Sequence, residues 1–190
     1  MGQTGGMKTR RIFAGVAVAA TEEMRGWVGE LRGELRGEGI RWARLENLHV
    51  TVEFFGEVGE ERMGGLAQAL GRAAAGAQGF PLRLAGVGTF GGARHPRVLW
   101  LGVESAGLRD LHGRVAAALR EAGWEPEARE YRPHLTLGRI DRLEDLRRFT
   151  EVVSRCRAPE TEAQGVRELI LYESAAGRHV PLARWELGGC

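Results

Sequence analysis

The sequence predicts an α+β fold of two related lobes, in which antiparallel sheets form a central cleft and helices pack on the outside. Strand-like and helix-like hydrophobic periodicities follow one another in roughly the same order in both halves of the chain. Each half also contains one His-x-Thr motif, with His49 and Thr51 in the first and His134 and Thr136 in the second. The repeated order and the repeated motif indicate a pseudo-twofold duplicated unit.

The first half reads as strand, helix, strand and helix. Thr21 precedes two glutamates, which is typical of a helix N-terminus because a side-chain oxygen and acidic groups favour the first amides there. Apolar residues at helical spacing continue to Leu35, and Gly37 ends this helix. The predicted elements are a strand over residues 11–19, the helix after Thr21, an extended piece over 41–44, a strand over 48–55 and a helix over 60–75.

The second half follows a similar order. A glycine-rich segment over residues 88–92 is predicted to be a turn between two strands. Asp141 and Glu144 have the spacing of a capping box before the last helix. The predicted elements are strands over residues 80–87 and 97–104, a helix over 108–122, a strand over 133–140, a helix after Glu144, and closing strands over 166–172 and 182–187.

The composition is typical of a globular protein in a reducing compartment. The chain has 190 residues, of which 43% are hydrophobic and 27% charged, and its apolar runs are too short to cross a membrane. Its two cysteines, Cys156 and Cys190, lack a metal-binding or redox spacing. We predict a disordered leader over residues 1–6, one bilobal domain over 7–190, and a cytoplasmic monomer. A net charge of +2 is too weak to indicate a protein that coats nucleic acid.

The two motifs carry the chemistry of a phosphate site. In a strand, His and Thr two positions apart share one face, about 6–7 Å apart, while the apolar residues between them point to the other face. Two histidines that face one phosphodiester can serve as base and acid, because an imidazole exchanges protons near neutral pH. Each threonine hydroxyl can donate to a non-bridging oxygen. A strained cyclic phosphate would react in such a site without a metal ion.

Five segments carry a resemblance to a known family. They read RIFA at 11–14, ENLHVTVEFFG at 46–56, PRVLWLG at 96–102, YRPHLTLGR at 131–139 and LYES at 171–174. With these segments in this order, the chain resembles the two-histidine (2H) phosphoesterase superfamily, and within it the bacterial and archaeal RNA 2′,3′-cyclic phosphodiesterases, also called 2′-5′ RNA ligases. The resemblance covers about residues 10–188.

The resemblance implies a catalytic pair, His49 and His134, and phosphate binding by Thr51 and Thr136. It implies a bilobal fold with a central cleft and hydrolysis of RNA 2′,3′-cyclic phosphate ends to 2′-phosphates, with possible reversal to a 2′-5′ linkage. Which histidine is the base does not follow from the sequence, and we take His134 as the base and His49 as the acid as a working hypothesis. The alternatives are a phosphodiesterase for another small cyclic phosphate or a 2′-5′ oligonucleotide, and a non-catalytic RNA-end binding protein.

Three residues near the motifs are further candidates for substrate contact. Arg132 shares the strand face of His134, whereas Arg139 has the opposite parity and reaches that face only if the strand bends. Phe55 shares the face of His49 and could stack on a base, while Phe54 has core parity.

Other patterns in the sequence give weaker evidence of function. The glycines of residues 86–91 fit Gly-x-Gly-x-x-Gly, but a strand follows instead of a helix, so we predict no dinucleotide cofactor, and no metal ion either. His112 falls within a predicted helix and is expected to be structural. His95 and His179 lie beside prolines in predicted turns, from which either could reach the mouth of the cleft.

Overall fold

A computed structural model describes residues 8–159, 161–175 and 177–188. In that part of the chain, helices and antiparallel strands follow one another as an α+β fold, which confirms the predicted class. The elements are β1 (Thr9–Ala17), α1 (Glu22–Glu34), β2 (Gly39–Trp42), β3 (His49–Gly59), α2 (Glu60–Ala75), β4 (Phe80–Gly92), β5 (His95–Glu104), α3 (Ala106–Glu121), β6 (His134–Arg142), α4 (Leu146–Arg155), β7 (Gln164–Val166), β8 (Glu168–Ala175) and β9 (Arg178–Glu186). The predicted leader over residues 1–6 lies outside the described residues.

The strands join into one curled sheet in the order β7-β4-β5-β6-β3-β1-β8-β9, with β2 also paired to β6. One lobe contains β1, β3, β8 and β9, and the other contains β2, β4, β5, β6 and β7. The lobes meet where the two motif strands, β3 and β6, run antiparallel beside each other with Val50 opposite Leu135. The two His-x-Thr motifs therefore lie in neighbouring strands at the centre of the sheet.

The lobes are also tied together away from the motifs. Gln78 and Gly188 form an isolated bridge between the start of β4 and the end of β9. The side-chain amide of Gln164, on β7, accepts from the backbone N–H of Ala19 at 2.9 Å and donates to the carbonyl of the same residue at 3.0 Å. These contacts close one end of the curled sheet.

The two faces of the sheet have separate apolar clusters. The larger cluster joins the apolar faces of the four helices to one face of the sheet, including Val50 and Leu135, which are fully buried. The smaller cluster consists of Phe13, Ile170 and Tyr172, on the opposite face. The helices thus cover one face and leave the other, which bears the motif histidines, as the wall of the cleft.

Several predicted boundaries are wrong. The last strand begins at Arg178 instead of residue 182, so His179 lies in β9, and His95 begins β5; neither histidine is in a turn. Residues 88–92 are not a turn, because β4 continues through them to Gly92 and pairs with β5. Gly86 and Gly91 instead lie at shifts in the β4–β5 register, where both adopt positive φ angles. Asp141 does not begin a capping box, because it lies in β6 and pairs with Arg41. The N-cap of α4 is Asp145, whose carboxylate accepts from the N–H of Arg148.

Gly102 of β5 lies opposite His134 of β6 and, on its other side, allows the close approach of β4. A Cβ at this position would overlap the carbonyl oxygen of Ala85, which belongs to rigid strand backbone. We expect Gly102→Ala to lower the free energy of unfolding by roughly 1–3 kcal/mol, measured by urea denaturation.

The control is Gly113→Ala, in the exposed middle of α3, where a Cβ would meet nothing within 4 Å. This change should raise the free energy of unfolding by about 0.5–1 kcal/mol, because alanine favours helix more than glycine does. Equal stability of the two variants would contradict the packing assigned to Gly102.

Candidate active site

The register of β3 and β6 brings the two motifs together. With Val50 opposite Leu135, antiparallel pairing brings His49 beside Thr136 and Thr51 beside His134. The four polar side chains are half-buried on one face, and the apolar residues between them are fully buried on the other. The predicted alternation of faces within each motif is therefore confirmed.

Both histidine rings are held by the same local contact. Nδ1 of His49 lies 2.8 Å from the carbonyl oxygen of Asn47, and Nδ1 of His134 lies 2.8 Å from the carbonyl oxygen of Arg132. Because a carbonyl oxygen only accepts, Nδ1 carries the proton and donates it in each case. Nε2 is then the nitrogen of each ring that is available to exchange a proton with a ligand.

Aromatic rings surround each histidine on the cleft side. The ring of His49 contacts Phe13 at a centroid distance of 4.8 Å and His179 at 4.6 Å, while Tyr172 stacks on Phe13. The ring of His134 meets the ring of Phe90 at 4.7 Å, and Trp100 lies against Phe90. The two sides of the site are thus alike in their motif residues and different in their surroundings.

Burial keeps both histidines neutral in the ligand-free site. Burial, with smaller repulsion from His179 and His134, lowers the pKa of His49 to about 4, against the opposing effect of the Asn47 carbonyl. Burial and the nearby Arg139 guanidinium lower the pKa of His134. An anion between the rings would favour their charged forms, so protonation is expected to accompany the binding of a phosphate.

Arg139 reaches the face of the motif because β6 bulges. In the pairing with β5, Leu99 lies opposite Gly138 and Trp100 opposite Thr136, so the strand carries one extra residue at Leu137. Leu137 and Gly138 are both buried, and Arg139 is exposed. The bulge meets the condition under which Arg139 was expected to reach this face, and its charge acts on both His134 and His179.

Arg132 does not lie in the strand, because β6 begins at His134. Its guanidinium is exposed and pairs with Glu130 at 3.1 Å. The expectation that strand parity directs Arg132 toward the anion is therefore wrong, and the structure instead uses its backbone carbonyl to hold the His134 ring.

The two phenylalanines of β3 exchange their predicted positions. The pairing of β3 with β1 shifts register at Val52 and again at Phe55, which reverses the alternation beyond Thr51. Phe55 packs against Trp124 at 5.9 Å and the main core, whereas Phe54 is 45% exposed opposite Phe13. Phe54 therefore takes the face that was predicted for Phe55.

His179 reaches the cleft from β9, as the sequence had left open, whereas Phe13 and Trp100 were not assigned to the site. The contact of His179 with His49 joins positions 130 residues apart (179 − 49), which strand periodicity cannot reveal. Phe13 and Trp100 belong to segments that carry the family resemblance, and this was the signal that could have pointed to them. The indole Nε1 of Trp100 is buried without a hydrogen-bond partner among the described residues.

A buried polar network supports the motif strands from the helix side. Glu53, 3% exposed, accepts the backbone N–H of Glu127 at 2.9 Å, and its other oxygen lies 3.9 Å from Nε2 of His112 on α3. The His112 ring stacks flat on Tyr131 at 4.0 Å, and the Tyr131 hydroxyl donates to the carbonyl of Thr51 at 3.0 Å. The network connects β3 to the segment that leads into His134, and His112 is a structural residue here.

The structure adds little on cofactors or membranes. Within residues 8–159, 161–175 and 177–188, no group of three or more His, Cys, Asp or Glu side chains is arranged to hold a metal ion. The glycine pattern at residues 86–91 lies inside β4, a strand, so the helix that a dinucleotide site requires does not follow it. None of the described helices is long and apolar enough to cross a membrane.

Comparison with known proteins agrees with this geometry. The model of the 2′-5′ RNA ligase superfamily matches residues 20–178. The RNA 2′,3′-cyclic phosphodiesterase of Methanothermobacter thermautotrophicus is 30% identical over 167 residues, which cover 86% of this chain and 90% of that protein. The enzyme of that name from Archaeoglobus fulgidus is 36% identical over 134 residues, or 70% and 73% of the two chains.

Solved structures are similar over nearly the whole fold. The crystal structure of Escherichia coli LigT complexed with 3′-AMP superposes with a TM-score of 0.73 and 30% sequence identity, covering 95% of this chain and 99% of that one. The Thermus thermophilus protein TT0787 gives a TM-score of 0.71 at 25% identity, over 94% and 98% of the two chains.

The buried network predicts how stability changes with pH. Burial raises the pKa of Glu53 above its ordinary value of 4.5, so its neutral form is favoured by folding. The stability that Glu53 contributes is therefore complete below that value and is lost as pH rises through its folded pKa. Because Glu53→Gln mimics the neutral form, we expect the variant to gain stability relative to the parent as pH rises, measured by urea denaturation between about pH 4 and about pH 8.

Glu151→Gln, at an exposed position of α4, is the matched control and should show no such trend. A difference between Glu53→Gln and the parent that stays constant over this range would contradict the assignment of a buried, proton-favouring carboxyl.

Proposed function

Because the chain belongs to the 2′-5′ RNA ligase superfamily, we propose that it hydrolyses the 2′,3′-cyclic phosphate at an RNA end to a 2′-phosphate. The observation that carries the proposal is the pairing of β3 with β6, which sets two His-Thr pairs side by side on one face of the sheet. The same arrangement of two imidazoles and two hydroxyls suits a single phosphorus centre.

His49 and His134 divide the proton transfers. One imidazole takes a proton from water as the water oxygen bonds to phosphorus, and the other imidazolium gives a proton to the 3′ oxygen as its bond to phosphorus breaks. We keep His134 as the base and His49 as the acid. Since His49 is neutral in the ligand-free site, it must gain its proton as the phosphate binds, when the anion raises its pKa.

Thr51, Thr136 and Arg139 stabilise the phosphate. The two hydroxyls are half-buried beside the histidines and donate to the non-bridging oxygens, where negative charge grows in the transition state. Arg139 brings a fixed positive charge to the same face, and a guanidinium can donate two hydrogen bonds to a phosphate. Reversal of the reaction at this site would join RNA ends through a 2′-5′ linkage.

The substrate is an RNA end or nucleotide that bears a 2′,3′-cyclic phosphate. The names of the relatives and the 3′-AMP complex of Escherichia coli LigT support a nucleotide ligand. Action on RNA ends by a cytoplasmic monomer stays a prediction.

The proposed reaction is tested with an RNA that ends in a 2′,3′-cyclic phosphate, incubated in EDTA, with the position of the product phosphate determined. We expect a 2′-phosphate at an undiminished rate in the chelator, because the histidines supply both acid and base. His49→Ala and His134→Ala should each lower kcat by about 10²–10⁴ with circular dichroism unchanged, which is the usual contribution of a general acid or base. Near-parental activity in either variant, or activity lost in EDTA and restored by a metal, would refute the mechanism.

The two arginines that flank the second motif provide a matched comparison. Arg139→Gln should lower kcat/KM by about 10²-fold or more, because it removes a charge-assisted contact to the anion. Arg132→Gln should change kcat/KM by less than about threefold, since its exposed ion pair is worth little and its backbone carbonyl still holds His134. The reverse order of effects would show that Arg132 contacts the phosphate.

A further inference from the structure

His179 is a titratable residue of the cleft that the proposed reaction does not use. It lies on β9 opposite Ser174 of β8. Its ring stands at 75° to the ring of His49, with the centroids 4.6 Å apart, and at 89° to the ring of Phe13 at 5.1 Å. His179 therefore touches both His49 and the aromatic ring on which His49 packs.

The nitrogen atoms of His179 are not fixed in the way that those of the motif histidines are. Nδ1 of His49 and Nδ1 of His134 each donate to a backbone carbonyl, which sets their tautomers. Nδ1 of His179 is buried and has no hydrogen-bond partner in the part of the chain that the structure describes. A buried imidazole without such a partner has no hydrogen bond that would hold it in one protonation state.

One fixed positive charge faces this pair, because Arg139 on β6 acts on His179. His134, also on β6, repels a charged His49 when it is itself protonated. Among the acidic groups of β8, Glu173 pairs with Arg10, while Tyr172 stays neutral because burial raises its pKa. Two imidazolium ions in ring contact repel each other, and no carboxylate acts on either ring among the described residues, so one positive charge on the pair disfavours a second.

We propose that His49 and His179 form a coupled pair in which a positive charge on one ring disfavours a charge on the other, so that His179 opposes protonation of His49. His179 is then a positioning residue, since it acts on the reaction only through His49. Its importance for turnover rests on the proposed function, whereas the coupling itself is a property of the ligand-free protein. When a phosphate anion binds, a neutral His179 leaves the single charge to His49.

The coupling is measured by NMR titration of the imidazole resonances in the ligand-free full chain. His179→Phe keeps a buried ring but removes the charge, so the midpoint of His49 should rise by about half a pH unit or more. If His179 acted only by excluding water, a phenylalanine would leave that midpoint unchanged or lower it. The resonances of His112, on the helix side of the sheet, serve as an internal reference and should keep their midpoint.

The second variant is His179→Gln, which removes the same charge but keeps a polar side chain, so the midpoint of His49 should again rise. This second measurement decides the matter even if His179→Phe does not fold. An unchanged midpoint for His49 in either folded variant would overturn the inference.

Activity separates this inference from the proposed function. In His179→Phe, the limb of the pH profile of kcat/KM that reports His49 should move to higher pH by the shift seen in the titration, whereas a purely structural role would lower the rate at every pH without moving the limb. If the limb stays fixed while the enzyme is active, the inference fails. If the parent chain does not hydrolyse the cyclic phosphate but the midpoints move as expected, the proposed function fails and the coupling stands.

Discussion

The contact between β3 and β6 is the constraint on which the site depends. These strands belong to different lobes, and their register at Val50 and Leu135 fixes where His49, Thr51, His134 and Thr136 lie relative to one another. A slip of one residue would turn one motif toward the helices and bury its polar groups. Fully buried apolar residues oppose such a slip, since Val50 and Leu135 would then be exposed in the cleft.

Low solvent exposure gives the histidines their chemistry. The aromatic rings beside His49 and His134 remove water, and both imidazoles are neutral until an anion arrives. Their Nδ1 contacts fix the rings in one tautomer, so only Nε2 takes part in proton exchange. The charge state of the site therefore follows the ligand, and Arg139 supplies the positive charge that is already present before binding.

Local sequence predicted the parts of this site that depend on local structure. The faces of the motif residues follow strand alternation, the bounds of α2 agree with the prediction, and Thr21 caps α1 as expected. Regular alternation fails where the sheet departs from regular pairing, since bulges in β3 and β6 reverse the faces of Phe55 and Arg139. A bulge depends on what the neighbouring strand offers, and the contact of His179 with His49 depends on how β9 folds over β8, so neither is encoded in a short window of sequence.

The ties between the lobes have a consequence for how a ligand is received. The Gln78–Gly188 bridge and the double hydrogen bond of Gln164 to Ala19 join the lobes a second time, apart from the β3–β6 contact. Two lobes that are joined at two separate places resist hinge bending relative to each other. The cleft should then bind its ligand as a preorganised site, so that little conformational entropy is lost on binding, and not by closure of the two lobes over the ligand.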